Sequence, residues 1–139
     1  MAWLLDTNIV SELRKGRHAN ENVRAWASSI QLERQYISVL TLGEINRGIL
    51  KISDKDHGQA ESLTVWFTRL KIQFAGDVLP VSAAVAEQWG KLNAQRTLPV
   101  VDGLLAATAL ILRLRIATRN STDFEGTGVK VRNPFDFQG

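Results

Sequence analysis

The stretch LLDTNIVSEL, from Leu4 to Leu13, joins a short apolar run to a segment that has the polar residues of a helix start. The apolar run predicts a buried β-strand, and Asp6 stands at its carboxyl end. Asp, Thr and Asn are all favourable N-cap residues, so Asp6, Thr7 and Asn8 have a purely structural explanation. An acid in this place could also hold a metal ion. The stretch alone leaves both interpretations open.

Outward from this stretch, short apolar runs alternate with helical segments along the whole chain. Strands are predicted at residues 2–5, 36–39, 78–81, 115–118 and 129–132, and helices at 7–15, 20–32, 42–50, from 54, after 82 and at 104–112. Such alternation favours parallel strands joined by crossover helices. The predicted fold class is therefore α/β, a three-layer α/β/α sandwich in a single domain of residues 1–139.

Composition narrows the class of protein. A chain of 139 residues with 45% hydrophobic residues suits one globular domain, and the formal net charge of +3 is compatible with a nucleic-acid partner. The chain has no cysteine, no basic segment leading into an apolar stretch, and no apolar run near the ~20 residues of a membrane span. The expectation is a soluble, cytoplasmic protein that does not enter a membrane.

Four acids stand close to predicted core segments: Asp6, Glu44, Asp102 and Asp123. Each has a structural alternative, namely a helix cap for Asp6 and Asp102, an Asx-turn for Asp123 and an exposed helix position for Glu44. A carboxylate beside a core costs several kcal/mol unless it is hydrogen-bonded, paired or metal-bound. Because the carboxyl ends of parallel strands share one sheet edge, we expect the four acids to gather there.

Clustered carboxylates without cysteine favour a hard cation such as Mg²⁺ or Mn²⁺, and suit phosphoryl-transfer chemistry. The chain has no Gly-rich phosphate loop. The remaining polar candidates lie in polar surroundings and are predicted to be exposed surface residues: His18, His57, Glu12, Glu33, Glu61 and Glu87.

With these residues in view, the sequence resembles the PIN-domain family over essentially its whole length, and more closely the VapC/FitB group of type II toxin–antitoxin ribonucleases. Four motifs in order carry the resemblance: LLDTNIVSEL with Asp6; ISVLTLGEINRGI with Ser38, Thr41 and Glu44; VVDGLLAATAL with Asp102; and ATRNSTDF with Thr118, Asn120 and Asp123. The resemblance implies a five-stranded parallel sheet with flanking helices.

The resemblance also implies that the four acids converge on one or two Mg²⁺ or Mn²⁺ ions. Asp6 and Asp102 would bind the main ion, Asp123 would assist directly or through water, and Glu44 would hold a second ion or orient the attacking water. Metal-activated water would then hydrolyse an RNA phosphodiester, leaving a 5′-phosphate and a 3′-hydroxyl.

Neighbouring polar residues are expected to support the acids. Thr7 and Asn8 would satisfy the first turn of the first helix and so free the Asp6 carboxylate. Arg47 and Arg119 are candidates for phosphate contacts, with surface ion pairs as the alternative. The residues expected to position carboxylates and waters are Thr7, Asn8, Ser38, Thr118 and Asn120.

The resemblance implies partners as well. A small VapB-like antitoxin is expected to cover the acidic groove, with one of its Arg or Lys side chains among the carboxylates. A homodimer or a larger toxin–antitoxin assembly is expected, with operator DNA bound only through the antitoxin. Trp26, Trp66 and Phe67 could form these protein interfaces, with core packing as their alternative.

Three other classes of protein remain to be weighed. A haloacid-dehalogenase-type phosphatase needs a second acid two residues after the first, where this chain has Asn8. A response-regulator receiver needs a Lys after its last strand, where only Lys130 within the predicted strand is available. A non-catalytic RNA-binding or interaction module with the PIN fold would be marked by the loss of an acid, and all four are present.

Overall fold

The computed structural model describes residues 1–139 and contains one five-stranded parallel sheet with the strand order β3-β2-β1-β4-β5. The strands are β1 (Trp3–Leu5), β2 (Gln35–Ser38), β3 (Val78–Leu79), β4 (Arg115–Ala117) and β5 (Val131–Arg132). The predicted five-stranded parallel sheet is confirmed. Strand β2 has the predicted length, and each of the other four strands is one or two residues shorter than the apolar run that predicted it. In β1, Leu4 pairs with Tyr36 on one side and with Ile116 on the other.

Six helices cover the two faces of the sheet. They are α1 (Thr7–Leu13), α2 (Glu21–Ser29), α3 (Val39–Ser53), α4 (His57–Gln73), α5 (Ala83–Gln95) and α6 (Val100–Leu112). Trp3 and Leu5 pack into a core with α1 to α4, whereas Leu4 between them packs into a second core with α5 and α6. This alternation along one strand places the sheet between two helical layers, as the predicted α/β/α sandwich requires.

Helix boundaries follow the capping residues. Ser38 caps α3 by accepting a hydrogen bond from the Leu40 N–H, so this helix begins directly after β2 rather than at the predicted residue 42. The helix predicted from residue 54 begins at His57 as α4, with Asp56 as its N-cap. The helix predicted after residue 82 is confirmed as α5, and Ser82 caps it, since its hydroxyl accepts from the Val85 N–H.

Two of the three aromatic residues considered for protein interfaces belong to the core. Trp26 is 1% exposed and meets the Trp3 ring edge to face, with ring centroids 5.2 Å apart. Phe67 is buried as well, and only Trp66 is half-exposed, on an open cleft between α1, α2 and α4. For Trp26 and Phe67 the interface prediction is therefore wrong, because their helices bury this face against the sheet.

The strand order fixes where a ligand site is expected. The chain leaves β1 toward β2 on one side, and β4 joins β1 on the other. In open parallel sheets, ligands bind at the carboxyl ends of the strands where the order reverses, which here is the end of β1 and β4. No single helix combines the length and hydrophobicity of a membrane crossing; α5 and α6 reach them only as a pair bent by 119°.

Candidate metal centre

Asp6 lies at the carboxyl end of β1 and is 7% exposed. Its Oδ1 accepts the Thr7 N–H at 2.7 Å, and its Oδ2 accepts the Thr118 hydroxyl at 2.8 Å and the Asn8 amide at 3.3 Å. Asp6 is thus itself the N-cap of α1. The prediction that Thr7 and Asn8 cap this helix and free Asp6 is wrong, because the extended backbone at Asp6 folds its carboxylate back onto the helix start.

Glu44, on α3, is held from α1. The Thr7 hydroxyl donates to Glu44 Oε1 at 2.6 Å and lies 3.0 Å from the Thr41 hydroxyl. Because a hydroxyl carries one proton, Thr41 donates in the second contact. Glu44 is half-buried and hydrogen-bonded, so the alternative of an ordinary exposed helix residue does not hold.

The buried Thr41 is a member of this network that sequence reasoning missed as a site residue. The signal was present in ISVLTLGEINRGI, since Thr41 and Glu44 stand three residues apart on one helix and share a face. The hydroxyl of Ser38, at the start of the same motif, accepts the Leu40 N–H of α3 and contacts no carboxylate. It therefore supports Glu44 only by starting the helix that carries it.

Asn8, Thr118 and Asn120 connect the ends of β1 and β4. Beside its contact with Asp6, the Asn8 amide lies 3.3 Å from the Thr118 hydroxyl, and Asn8 Oδ1 accepts the Arg119 N–H at 3.1 Å. The Thr118 hydroxyl also accepts the Asn120 N–H at 3.1 Å. Asn120 thus acts through its backbone, and its carbonyl accepts the N–H of Asp123 at 3.0 Å.

Asp102 is the third residue of α6, and Pro99 rather than Asp102 is the N-cap, so the capping explanation does not hold for Asp102. Asp123 is exposed in the 3-10 turn Ser121–Phe124 that follows β4. Its backbone N–H is bound in this turn, but its carboxylate makes no hydrogen bond. The carboxylates of Asp102 and Asp123 therefore have no hydrogen-bond partner in the helix or turn that carries them.

Electrostatics show that the four acids share one neighbourhood. Burial, followed by repulsion from Asp6, Asp123 and Glu44, raises the pKa of Asp102 to about 6. Burial also raises the pKa of Asp6, against the bonds from Thr118 and Thr7 that lower it, and Glu44 and Asp123 add to the rise. None of the four acids takes part in an ion pair, so no cationic side chain neutralises the cluster directly.

The donor set fits a hard divalent cation. It consists of carboxylate oxygens with hydroxyls and amides behind them, and it contains no thiolate or imidazole. As the side chains stand, no three acidic or histidine side chains converge at ligating distance, so the acids form a loose cluster rather than a closed cage. Proteins commonly hold Mg²⁺ by one or two carboxylates with water completing its coordination, which such a cluster permits.

Neither arginine considered for phosphate contacts is ion-paired. The two ion pairs of the molecule are Lys15 with Glu12 and His57 with Glu61. Arg47 is exposed on α3, and Arg119 follows directly on Thr118. The surface ion pairs weighed as their alternative are therefore absent.

One acid predicted to be a surface residue is structural. Glu12 has a side chain that is 11% exposed, and it accepts the Asn20 N–H at 2.9 Å and Lys15 Nζ at 3.0 Å. The bond from Asn20, and then that from Lys15, lowers the pKa of Glu12. The polar surroundings of Glu12 in the sequence hid this role, because Asn20 reaches it only once α1 and α2 have packed. The other candidates are exposed as predicted: His18, His57, Glu33, Glu61 and Glu87.

Comparisons with known proteins agree with the geometry. The family model for the PIN domain matches residues 3–129. The toxin FitB of Neisseria gonorrhoeae is 32% identical over 141 residues, which cover 95% of this chain and 97% of FitB. The VapC ribonuclease Y4jK of Sinorhizobium fredii is 30% identical over 142 residues, which cover 96% of this chain and 97% of that protein.

A solved structure is similar over nearly the whole fold. In the structure of FitAB bound to an IR36 DNA fragment, one chain matches 99% of this chain and 98% of its own length, with a TM-score of 0.87 and 29% identity. The resemblance noted from the four sequence motifs is therefore confirmed by the family match, by full-length relatives and by a shared fold.

Proposed function

The chain belongs to the PIN-domain family, and from that premise we propose that it is a metal-dependent endoribonuclease, the toxin of a type II toxin–antitoxin pair. The observation that carries the proposal is the cluster of four mutually repelling carboxylates at the carboxyl ends of β1 and β4, none of which is in an ion pair. The ribonuclease and toxin names of the full-length relatives support the reaction class.

Four residues would hold Mg²⁺ or Mn²⁺: Asp6 and Asp102 as the main ligands, with Asp123 and Glu44 assisting. When bound, the ion supplies Lewis-acid chemistry, activating a water nucleophile and offsetting charge on the scissile phosphate. The acids differ in how firmly the chain fixes them. Asp6 and Glu44 are held by hydroxyls, whereas the carboxylates of Asp102 and Asp123 make no hydrogen bond and are free to adjust to a ligand.

Supporting residues set the orientation of the fixed acids. Thr118 and Asn8 hold Asp6 Oδ2, and Thr7 holds Glu44 Oε1, so a carboxylate on β1 and one on α3 keep defined directions. Arg119 and Arg47 are proposed to contact substrate phosphates, since both are exposed and lack an acidic partner. The proposed products carry a 5′-phosphate and a 3′-hydroxyl.

The proposed protein partner is a small VapB-like antitoxin that covers the acidic groove and places an Arg or Lys among the carboxylates. The FitAB structure, which is bound to DNA, supports a toxin–antitoxin assembly in which operator DNA is reached through the antitoxin. Trp66, half-exposed on the cleft between α1, α2 and α4, remains a proposed contact for a partner. Homodimerisation is proposed on the same grounds of family membership.

The direct test is RNA cleavage by the purified, partner-free chain with Mg²⁺, with Mn²⁺ and with chelator. Cleavage is expected with either metal and is expected to be lost in Asp6→Asn and Asp102→Asn variants that keep their circular dichroism spectrum. Metal-independent cleavage of full strength would overturn the proposal. RNA binding without cleavage would favour the non-catalytic module, and hydrolysis of a small phosphomonoester alone would favour a phosphatase.

The partner claim has a separate test. Co-expression of this chain with the small reading frame beside its gene is expected to yield a stable complex and to relieve growth arrest. Independent purification of the two proteins, with unrelieved toxicity, would contradict the claim while leaving the nuclease assay unaffected.

A further inference from the structure

Arg119 is held on three sides by residues from distant parts of the chain. Its backbone N–H donates to Asn8 Oδ1 at 3.1 Å, and its carbonyl accepts the Asn133 amide at 3.3 Å. Its guanidinium carbon lies 4.4 Å from the centroid of the Phe135 ring. An exposed arginine is ordinarily free to sample many rotamers, whereas here the backbone is pinned and the side chain rests on an aromatic face.

The aromatic platform is itself fixed. The Phe135 N–H donates to Asn133 Oδ1 at 2.9 Å, and its carbonyl accepts the Asn22 amide of α2 at 2.7 Å. The half-buried Phe135 ring packs against the core formed by α1 to α4, beside the buried Pro134. Residues 133–137, called here the C-terminal clamp, therefore hold the ring under Arg119 rather than trailing from the fold.

The backbone of Arg119 lies next to the acidic cluster, while its guanidinium is held on the Phe135 ring. Asn8 contacts both the Asp6 carboxylate and the backbone N–H of Arg119, so one side chain separates that carboxylate from the Arg119 backbone. The Arg119 guanidinium forms no ion pair with any of these acids. An unclamped arginine would be drawn toward four carboxylates.

The charge of Arg119 affects one acid, Glu12, but that carboxylate already accepts two other hydrogen bonds. Arg119 is the smallest contributor to the lowered pKa of Glu12, whose two oxygens accept from Lys15 and from the Asn20 backbone. The N–H groups of Arg119 therefore have no acidic partner. A guanidinium stacked on a ring keeps its in-plane N–H groups available for an anion such as phosphate.

We propose that Arg119, clamped on Phe135, binds the phosphate of a nucleotide next to the cleaved bond, so that single-stranded RNA runs from the carboxylate cluster across the C-terminal clamp. This rests on the proposed function and deepens it. Because the guanidinium lies over a face of the ring and offers its N–H groups to phosphate, the contact reads the backbone rather than the sequence.

The test is RNA binding measured in chelator, in an Asp102→Asn background that prevents cleavage. Fluorescence anisotropy of two labelled single strands, an oligouridine and a mixed sequence, is recorded against salt concentration. Arg119→Gln is expected to weaken binding to both strands about tenfold, and to lower the salt slope by about 0.7. Arg119→Lys keeps the charge and hence the slope, while binding less tightly than arginine.

The matched control is Arg69→Gln on α4, an exposed arginine without a hydrogen bond or ion pair, on a helix that gives no residue to the cluster. It removes the same charge and is expected to change neither affinity nor slope. Equal effects of Arg119→Gln and Arg69→Gln would overturn the proposal, as would the absence of measurable RNA binding by the background protein.

The clamp itself is tested by Phe135→Leu, with thermal unfolding as a check on folding. Phe135→Leu is expected to weaken RNA binding alone and to add nothing in the Arg119→Gln background, because it acts through Arg119. Additive losses would refute the clamp. RNA binding that depends on Arg119 in a chain whose unmutated form does not cleave RNA would reject the proposed nuclease and leave standing only the contact between Arg119 and an RNA phosphate.

Discussion

Asp102→Asn should stabilise the metal-free protein near neutral pH. Asp102 is half-buried in the first turn of α6, and its carboxylate makes no hydrogen bond. Burial and repulsion from three other acids raise its pKa to about 6, from an ordinary value of 3.8. An ionised Asp102 is therefore unfavourable in the folded state, and the neutral amide removes this cost while keeping nearly the same shape.

The size of the expected stability gain follows from the rise in the pKa of Asp102. A rise from 3.8 to about 6 corresponds to at most about 3 kcal/mol. Because Asp102 is partly exposed to solvent, which screens its charge, we take about half of this, or about 1.5 kcal/mol. The variant also loses a favourable acid in the first helical turn, which costs about 0.5 kcal/mol. The net gain is about 1 kcal/mol, or about 4 °C in Tm for a chain of this length.

The stability that Asp102→Asn gains over the unmutated protein depends on pH. Below the unfolded pKa of 3.8, Asp102 is protonated in both states and contributes nothing. Between 3.8 and about 6 the unfolded chain releases this proton while the folded chain retains it, so the stability of the unmutated protein falls as pH rises. The advantage of Asp102→Asn should therefore appear across this window and be complete above it.

The assay is thermal unfolding in chelator at about pH 4 and about pH 7.5, followed by circular dichroism. Glu87→Gln, on the exposed side of α5, is the matched control, since it removes one negative charge outside the cluster. Asp102→Asn should gain stability over this control only at the higher pH. Destabilisation at both values, or a gain independent of pH, would refute the electrostatic coupling of the four acids.

Three further substitutions test the contacts behind the carboxylates. Thr118→Val removes the hydroxyl that donates to the acid ending β1 and should lower the free energy of unfolding by about 1–3 kcal/mol, measured by urea titration; Thr108→Val, where the hydroxyl binds only its own helix, should leave it nearly unchanged. Equal effects of the two would contradict the network. Thr7→Val removes the hydrogen bond to Glu44 and should lower RNA cleavage at least about tenfold with little loss of Tm. Unchanged cleavage would show that this hydrogen bond does not contribute to activity. Gly103→Ala would set a Cβ 2.9 Å from the Trp89 indole and should cost about 1–3 kcal/mol in the same urea titration; a neutral outcome would mean that α5 and α6 separate readily.

The sequence predicted the layers of the fold well because their cause is local. Apolar runs and helical spacing at each segment decide strand or helix, and LLDTNIVSEL contained both in one stretch. The strand order was beyond reach of such patterns, since whether β4 lies beside β1 depends on packing between distant segments. Boundaries moved where a side chain captured a backbone N–H, as Ser38 does at the start of α3.

The sequence predicted that the acids lie together, but not which neighbouring residue hydrogen-bonds to which acid or helix end. Parallel topology alone places the carboxyl ends of β1 and β4 at the same edge of the sheet. Whether Asp6 or Thr7 caps α1 depends on one backbone conformation, and the structure gives the cap to Asp6 and turns Thr7 toward Glu44. The resemblance suggested an interface for Trp26, but the helical spacing of this residue equally describes a core position, and tertiary packing decided for the core.

Isothermal titration of Mn²⁺ into the metal-free protein tests the central claim most directly, because it asks whether the four carboxylates form one cation site before any RNA is present. Binding is expected in the unmutated chain and in the Glu87→Gln control. It should be lost or strongly weakened in both Asp6→Asn and Asp102→Asn, each still folded. Equal Mn²⁺ binding by all four proteins, or none by the unmutated chain, would contradict the account.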